Sequence, residues 1–199
     1  MKYSKLGRSN LTVSRICLGT MHFGGPTSEA EAFEIMDAAL DMGITFFDTA
    51  NIYGGDSGPG ATEEIIGNWL SQGGGRREKI VLGTKVYWGM VGDQTVPNEG
   101  TGISAYKVRK HLADSLRRLQ TDYIDLLYVH CFDPITPLEE TIRALEDLIK
   151  HGKVRYIGIS NFKAWQLMKA QGLTSQLSTN RFIAAQYQYS LVNRDLEYE

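Results

Sequence analysis

The chain has 199 residues, of which 42% are hydrophobic and 22% charged, which suits one soluble globular domain able to bury a core without metal or disulfide staples. Lys and Arg total 21 and Asp and Glu total 23, a formal net charge of -2, so the electrostatic footprint of a nucleic-acid or anionic-membrane binder is absent. The two cysteines, Cys17 and Cys131, lie far apart in no Cys-x-x-Cys pair, which argues against a disulfide framework or a thiolate metal site and predicts a reducing compartment. No stretch approaches the roughly 18 consecutive apolar residues of a membrane span. The opening Met1-Lys2-Tyr3-Ser4-Lys5 has no apolar signal core, so a cytoplasmic protein is expected.

The predicted elements begin with a short hairpin, Lys2 to Leu6 and Leu11 to Val13, bridged by Gly7-Arg8-Ser9-Asn10. Ile16 to Met21 reads as a first buried strand. Ser28 can cap a helix with Glu29 and Glu31 in its first turn, apolar at Ala32, Ile35, Met36, Ala39 and Leu40 and stopped by Gly43. Ile44 to Ala50 is a second strand and Thr62 to Leu70 a second helix, ended by Gly73-Gly74-Gly75. Ile80 to Val86 is a third strand. Ser104 opens a helix with Val108, Leu112, Leu116 and Leu119 on one face. Tyr123 to His130 is a fourth strand, followed by a helix from near Pro137 to Gly152. Val154 to Asn161 is a fifth strand, Phe162 to Ala170 a shorter helix, and Phe182 to Gln188 a sixth strand. The strands are continuous apolar runs, the mark of parallel strands covered on both faces by helical crossovers.

A parallel βα series permits a doubly wound Rossmann sheet or a (β/α)8 barrel. The first needs a Gly-rich phosphate turn after its first strand, and Gly19-Thr20-Met21-His22-Phe23-Gly24 is not one. The single formal match, Gly100 to Ala105, follows a polar loop rather than a strand. A barrel instead gathers its active site at the C-terminal ends of its strands. Here the second strand ends at Asp48, the third near Lys85, the fourth at His130 and the fifth at Ser160-Asn161, while the sixth carries Gln186. Tyr53 lies in the loop just past Asp48. Each has an ordinary structural reading: Asp48 a turn cap, Lys85 a solvated strand end, His130 a hydrogen-bonded core histidine, Asn161 a helix cap, Gln186 a satisfied interior amide, Tyr53 a packing residue. Together their chemistries complement one another. A tyrosine hydroxyl has an ordinary pKa of about 10, and a nearby ammonium favours its phenolate. A carboxylate holds the ammonium, and a histidine hydrogen-bonds a carbonyl oxygen. That set suits reduction of a carbonyl.

At these residues the sequence closely resembles the aldo-keto reductase superfamily, in its bacterial branch. The resemblance rests on Leu18-Gly19-Thr20-Met21, Phe47 to Gly54, Gly83-Thr84-Lys85, Leu116 to Leu126, Val129-His130, Gly152 to Phe162 and Gln186 to Leu191, in family order along nearly the whole chain. It implies a (β/α)8 barrel that binds a nicotinamide cofactor in extended form, NADP(H) by family default with NAD possible, and a small-molecule carbonyl substrate. By similarity Tyr53 is the proton donor, Asp48 and Lys85 lower its pKa, and His130 orients the carbonyl. Ser160, Asn161 and Gln186 match positions that hold the nicotinamide carboxamide, and Gly19, Thr20 and Met21 match the backbone around its ribose. His22, Phe23 and Trp88 lie beyond strand ends, where they either line a substrate pocket or pack the loops. Met90 to Gly102 forms part of a lid or a plain surface loop. A Schiff-base aldolase built on Lys85 leaves Tyr53 and the Ser160-Asn161 pair unexplained.

One departure stands out. The family barrel has eight strands and takes about 250 residues, whereas six strands are counted here. The expectation is a single domain over 1–199, an incomplete barrel lacking its C-terminal part, with unpaired first and sixth strands that favour poor solubility or self-association. The alternative to an oxidoreductase is then a non-catalytic barrel fragment or an interaction module.

Overall fold

The computed structural model of the protein describes residues 1–90 and 100–198. A hairpin of β1 (Tyr3–Lys5) and β2 (Thr12–Ser14) leads the fold, antiparallel with Tyr3 opposite Ser14. Six parallel strands follow: β3 (Cys17–Gly19), β4 (Phe46–Asp48), β5 (Val81–Val86), β6 (Ile124–Val129), β7 (Val154–Ser160) and β8 (Phe182–Gln186). Their order in the sheet is their order in the sequence, from β3 at one edge to β8 at the other. Between them run α1 (Glu29–Asp41), α2 (Ala61–Ser71), the short α3 (Arg76–Lys79), α4 (Ala105–Arg118), α5 (Leu138–Lys150) and α6 (Ala164–Gln176). This is an incomplete (β/α)8 barrel behind an N-terminal hairpin, the architecture that the family resemblance implies.

Local signals start the helices where the sequence places them. Ser28 and Glu31 form a reciprocal capping box at α1, which satisfies two orphan amides at once. Ser104 Oγ accepts from Lys107 N at 3.4 Å to open α4. Two predictions need correction. The four-residue α3 is too short to show periodicity; it is held by Arg77, whose Nη2 donates to Tyr123 O at 3.0 Å and to Asp125 Oδ2 at 2.8 Å. Helix α6 runs six residues past Ala170, to Gln176. Its extension is fixed by tertiary contact, with Thr174 buried and Gln171 Nε2 donating to Phe182 O at 2.7 Å.

The alternation of strand side chains divides the interior in two. Phe47, Leu82, Leu127, Val129, Ile157 and Ile159 face the helices and form the main core. Within it Phe47 stacks on Trp69 of α2, ring centroids 5.6 Å apart. The other face of the sheet carries Phe46, Leu126 and Tyr128, which pack with Val13 of β2, while Leu6 and Leu11 close over them from the hairpin. The hairpin therefore plugs the N-terminal end of the strands. Asp48, Lys85 and Ser160, of the same strand parity as Phe46 and Tyr128, are left at the opposite end, facing inward.

Bare backbone lets Tyr128 sit in that interior. A Cβ on Gly158 would come within 2.6 Å of the Tyr128 ring. Gly67 in α2 does the same for the helices: a Cβ there would lie 2.0 Å from the carbonyl oxygen of Arg118. Only glycine permits that approach of α2 to the end of α4.

Candidate active site

Asp48, the last residue of β4, is 8% exposed, and Lys85, one residue before the end of β5, is fully buried. Register sets them side by side, since Asp48 pairs with Gly83 and the ladder continues with Thr49 N to Gly83 O and Asn51 N to Lys85 O. Lys85 Nζ donates to Asp48 Oδ2 at 2.6 Å, to Thr49 O at 2.9 Å and to Tyr53 Oη at 3.3 Å. All three ammonium protons thus have acceptors. Tyr53 owes its place to a tight turn, with Tyr53 N donating to Ala50 O and the Tyr53 carbonyl accepting from Gly60 N and Thr62 N. The His130 ring stands edge-on to Tyr53 at 6.1 Å and 83°.

The electrostatics follow from burial. Desolvation pushes the Asp48 carboxyl up, opposed by the Lys85 charge and the Gln186 side chain. Burial, then the Lys85 charge, pushes His130 down to about 4. Its imidazole is therefore neutral at physiological pH and able to donate a hydrogen bond.

Beside this cluster, β7 ends in Ser160, which is 3% exposed. Asn161 follows in a left-handed conformation, φ 58°, one that asparagine tolerates better than most residues. Its Nδ2 donates to Ser160 Oγ and to His130 O, both at 3.0 Å, and its backbone N donates to Gln186 O at 3.2 Å. Thr20 is fully buried and clamps the Asp48 carbonyl through both N and Oγ1, at 3.1 and 2.9 Å. Gly19 and Met21 on either side are exposed, and the space beyond Gly19 Cα is open.

The structure therefore brings Asp48, Tyr53, Lys85 and His130 together, with Ser160, Asn161 and Gln186 at neighbouring strand ends. The predicted pocket residues divide. His22 is exposed, and Trp88 is 40% exposed with its ring edge-on to Tyr87 at 4.9 Å. Phe23 takes the packing alternative: it is 3% exposed, lies in the main core, and its carbonyl accepts from Thr62 Oγ1. The suggested lid falls mostly on residues 91–99, outside the described residues. The formal glycine motif opens α4, but the amides there are engaged by carboxylates, Ile103 N by Asp133 Oδ2 and Ala105 N by Glu140 Oε1.

Two contributions escaped the sequence reading. Asn51 is fully buried between the Tyr53 loop and the segment after β5. Glu63 of α2 is fully buried beside β5, accepting from Thr84 Oγ1 at 2.6 Å and Arg118 Nε at 2.8 Å. A helical Glu reads as surface from sequence, because a buried charge becomes visible only when its partner is.

Residues 15–199 match the Aldo/keto reductase family. The chain belongs to that family. Among its relatives, the "Uncharacterized oxidoreductase YrpG" of Bacillus subtilis is 52% identical over 199 residues, covering 100% of this chain and 61% of the relative. Norsolorinic acid reductase A of Aspergillus parasiticus is 38% identical over 198 residues, 95% of this chain and 50% of that protein. Protein tas of Escherichia coli is 36% identical over 217 residues, 99% of this chain and 62% of that protein. The chain thus spans between half and two thirds of the length of these aldo-keto reductase relatives. No helix among the described residues is long and apolar enough to cross a membrane. Among the same residues no group of three or more His, Cys, Asp or Glu side chains is placed to hold a metal ion.

Proposed function

We propose that the protein is an NAD(P)H-dependent carbonyl reductase acting on an aldehyde, ketone or keto-sugar, with NADP(H) the family's default cofactor and NAD the alternative. The observation that carries this reading is the buried Lys85 ammonium, bonded at once to Asp48 and Tyr53, with His130 at the same strand ends. The residues fit a nicotinamide cofactor. Asp48 Oδ1 and His130 Nδ1 are buried without partners, and unpaired polar atoms of this kind mark places where a ligand completes the bonding. The space over Gly19 is open to a ring or ribose.

In this mechanism Gly19, Thr20 and Met21 flank the nicotinamide ribose, and Asp48 offers it the free Oδ1. Ser160, Asn161 and Gln186 hold the carboxamide with their amide and hydroxyl groups. The nicotinamide, when bound, supplies a hydride to the carbonyl carbon. Tyr53 Oη gives its proton to the carbonyl oxygen, so the C=O bond becomes an alcohol. The Lys85 ammonium, 3.3 Å away, stabilises the phenolate left on Tyr53, and Asp48 keeps that ammonium charged and aimed. His130, neutral, hydrogen-bonds the same carbonyl oxygen and orients it. His22 and Trp88 border the substrate.

The test is consumption of NADPH with a panel of carbonyls by the chain and by Tyr53→Phe. Tyr53→Phe is expected to lose roughly 100- to 10,000-fold in kcat, the usual worth of a positioned general acid. Equal turnover by both defeats the proton-donor assignment. The second reading, a non-catalytic fragment or interaction module, is favoured by the open edges of the sheet at β3 and β8. It predicts no turnover by either protein.

A further inference from the structure

We infer that Asn51 is a positioning residue that sets the reach between Tyr53 and Lys85. The inference rests on the reading of Tyr53 and Lys85 as a working pair. Asn51 sits two residues before Tyr53 and is fully buried. It holds the strand that carries Lys85 at two points: its backbone N donates to Lys85 O at 3.1 Å, and its side-chain Nδ2 donates to Trp88 O at 2.9 Å.

The first contact is the last rung of the β4–β5 ladder. After it the two segments separate, since Tyr87 gives its carbonyl to Gly102 N instead. The Asn51 side chain bridges the gap by taking the next free carbonyl. Without that bridge, past the backbone bond from Asn51 N the turn bearing Tyr53 meets the Lys85 strand only through the Lys85 side chain itself, while its own far end is held by α2 through Gly60 N and Thr62 N. The Tyr53–Lys85 contact, at 3.3 Å, is already near the limit of a hydrogen bond, so a small outward shift of the turn breaks it.

The energetics point the same way. Asn51 Oδ1 is buried with no hydrogen-bond partner in the protein, an arrangement that works against stability. The amide is therefore a poor choice for stability and a good one for fixing geometry. Its carbonyl partner belongs to Trp88, so the clamp also holds the backbone of a residue proposed to border the substrate.

The experiment uses the full 199-residue chain, isotope-labelled at the tyrosine ring carbon that bears the hydroxyl and read by NMR at fixed pH. Tyr53→Phe assigns the Tyr53 resonance, and Lys85→Met gives its position without the ammonium. Asn51→Ala is expected to move the resonance from the wild-type position toward the Lys85→Met position. Asn51→Ser, which keeps the backbone contact and a small polar side chain, carries the test where Asn51→Ala does not fold. A resonance that stays at the wild-type position while the melting temperature drops overturns the inference, because the residue is then merely structural. A wild-type resonance insensitive to Lys85→Met overturns it too. The readout needs no turnover, so failure of the proton-donor assignment is seen separately in the Tyr53→Phe assay. In turnover, the Asn51 variants are expected to lose roughly 10- to 100-fold in kcat with cofactor KM unchanged, the scale of a catalytic group displaced by about an ångström.

Discussion

His130 is the residue whose charge state its surroundings decide most sharply. Its pKa is pushed down from 6.5 to about 4, first by burial and then by Lys85. An unfolded chain takes up a proton near 6.5 that the folded chain refuses until about 4. Between those values the unfolded state binds more protons, so this residue's contribution to stability is fully present above the unfolded pKa and is lost as pH falls through the folded one. The measurement is the NMR titration of the His130 ring. It is expected to stay neutral down to about pH 4, and Lys85→Met is expected to raise its midpoint without restoring the ordinary value, because burial remains. Titration near 6.5 in the intact chain refutes this picture. At this scale the sequence is generous. Asp48, Lys85, His130 and Ser160 are legible because a strand-end rule turns position into proximity. Phe23 and Asn51 are not, because the same rule says nothing about which way a loop side chain turns.

Among elements, the contact of α2 with β5 and α4 depends on one buried charge. Burial pushes the Glu63 carboxyl up, opposed by Arg118, Thr84 and Ser115. The Arg118 guanidinium lies 2.8 Å away and Glu63 is fully enclosed. Removing Arg118 leaves that carboxylate uncompensated, so Arg118→Met is expected to destabilise the fold by about 3–5 kcal/mol, whereas replacing both partners with apolar residues costs much less. Urea unfolding of Arg118→Met beside the double variant Glu63→Met with Arg118→Met checks this, and equal losses in the two would show that the pair carries no such penalty. Thr84, next to Lys85 in β5, accordingly points at Glu63 while Lys85 points at Asp48. Helix and strand periodicity located every long element to within a few residues. It missed α3, which is shorter than one helical period, and the end of α6, which is set by the contact of Gln171 with β8.

At the largest scale the described residues form an open six-stranded sheet. Among the described residues β3 and β8 each pair on one side only. Large apolar side chains are exposed near both edges, Ile16 at 57% and Met21 at 53% beside β3, Leu191 at 94% and Val192 at 95% after β8. Unpaired parallel edges with apolar neighbours recruit other chains. The chain of 199 residues is therefore expected to self-associate, seen as a sedimentation coefficient that rises with concentration. A concentration-independent monomer with one sharp melt refutes this. A parallel βα series was legible from continuous apolar strands between amphipathic helices, and the family resemblance implied that it forms a barrel. The plugging of one end by the hairpin was not legible. It depends on Leu6 and Leu11 packing on the cluster of Val13, Phe46, Leu126 and Tyr128, an arrangement that no local pattern encodes.

The coincidence of sheet order with sequence order bears on how the protein is made. Among the described residues each of β4 to β7 pairs with the parallel strand before it and the one after it, and β8 pairs with β7, so a nascent chain leaving the ribosome finds its next partner already assembled. Long-range closure, the slow step of many β folds, is not required before β8. The last of the four clustered residues Asp48, Tyr53, Lys85 and His130 is synthesised before Ser160, Asn161 and Gln186. Translation thus lays down the proposed chemistry of the carbonyl first and the proposed seat of the nicotinamide carboxamide afterwards.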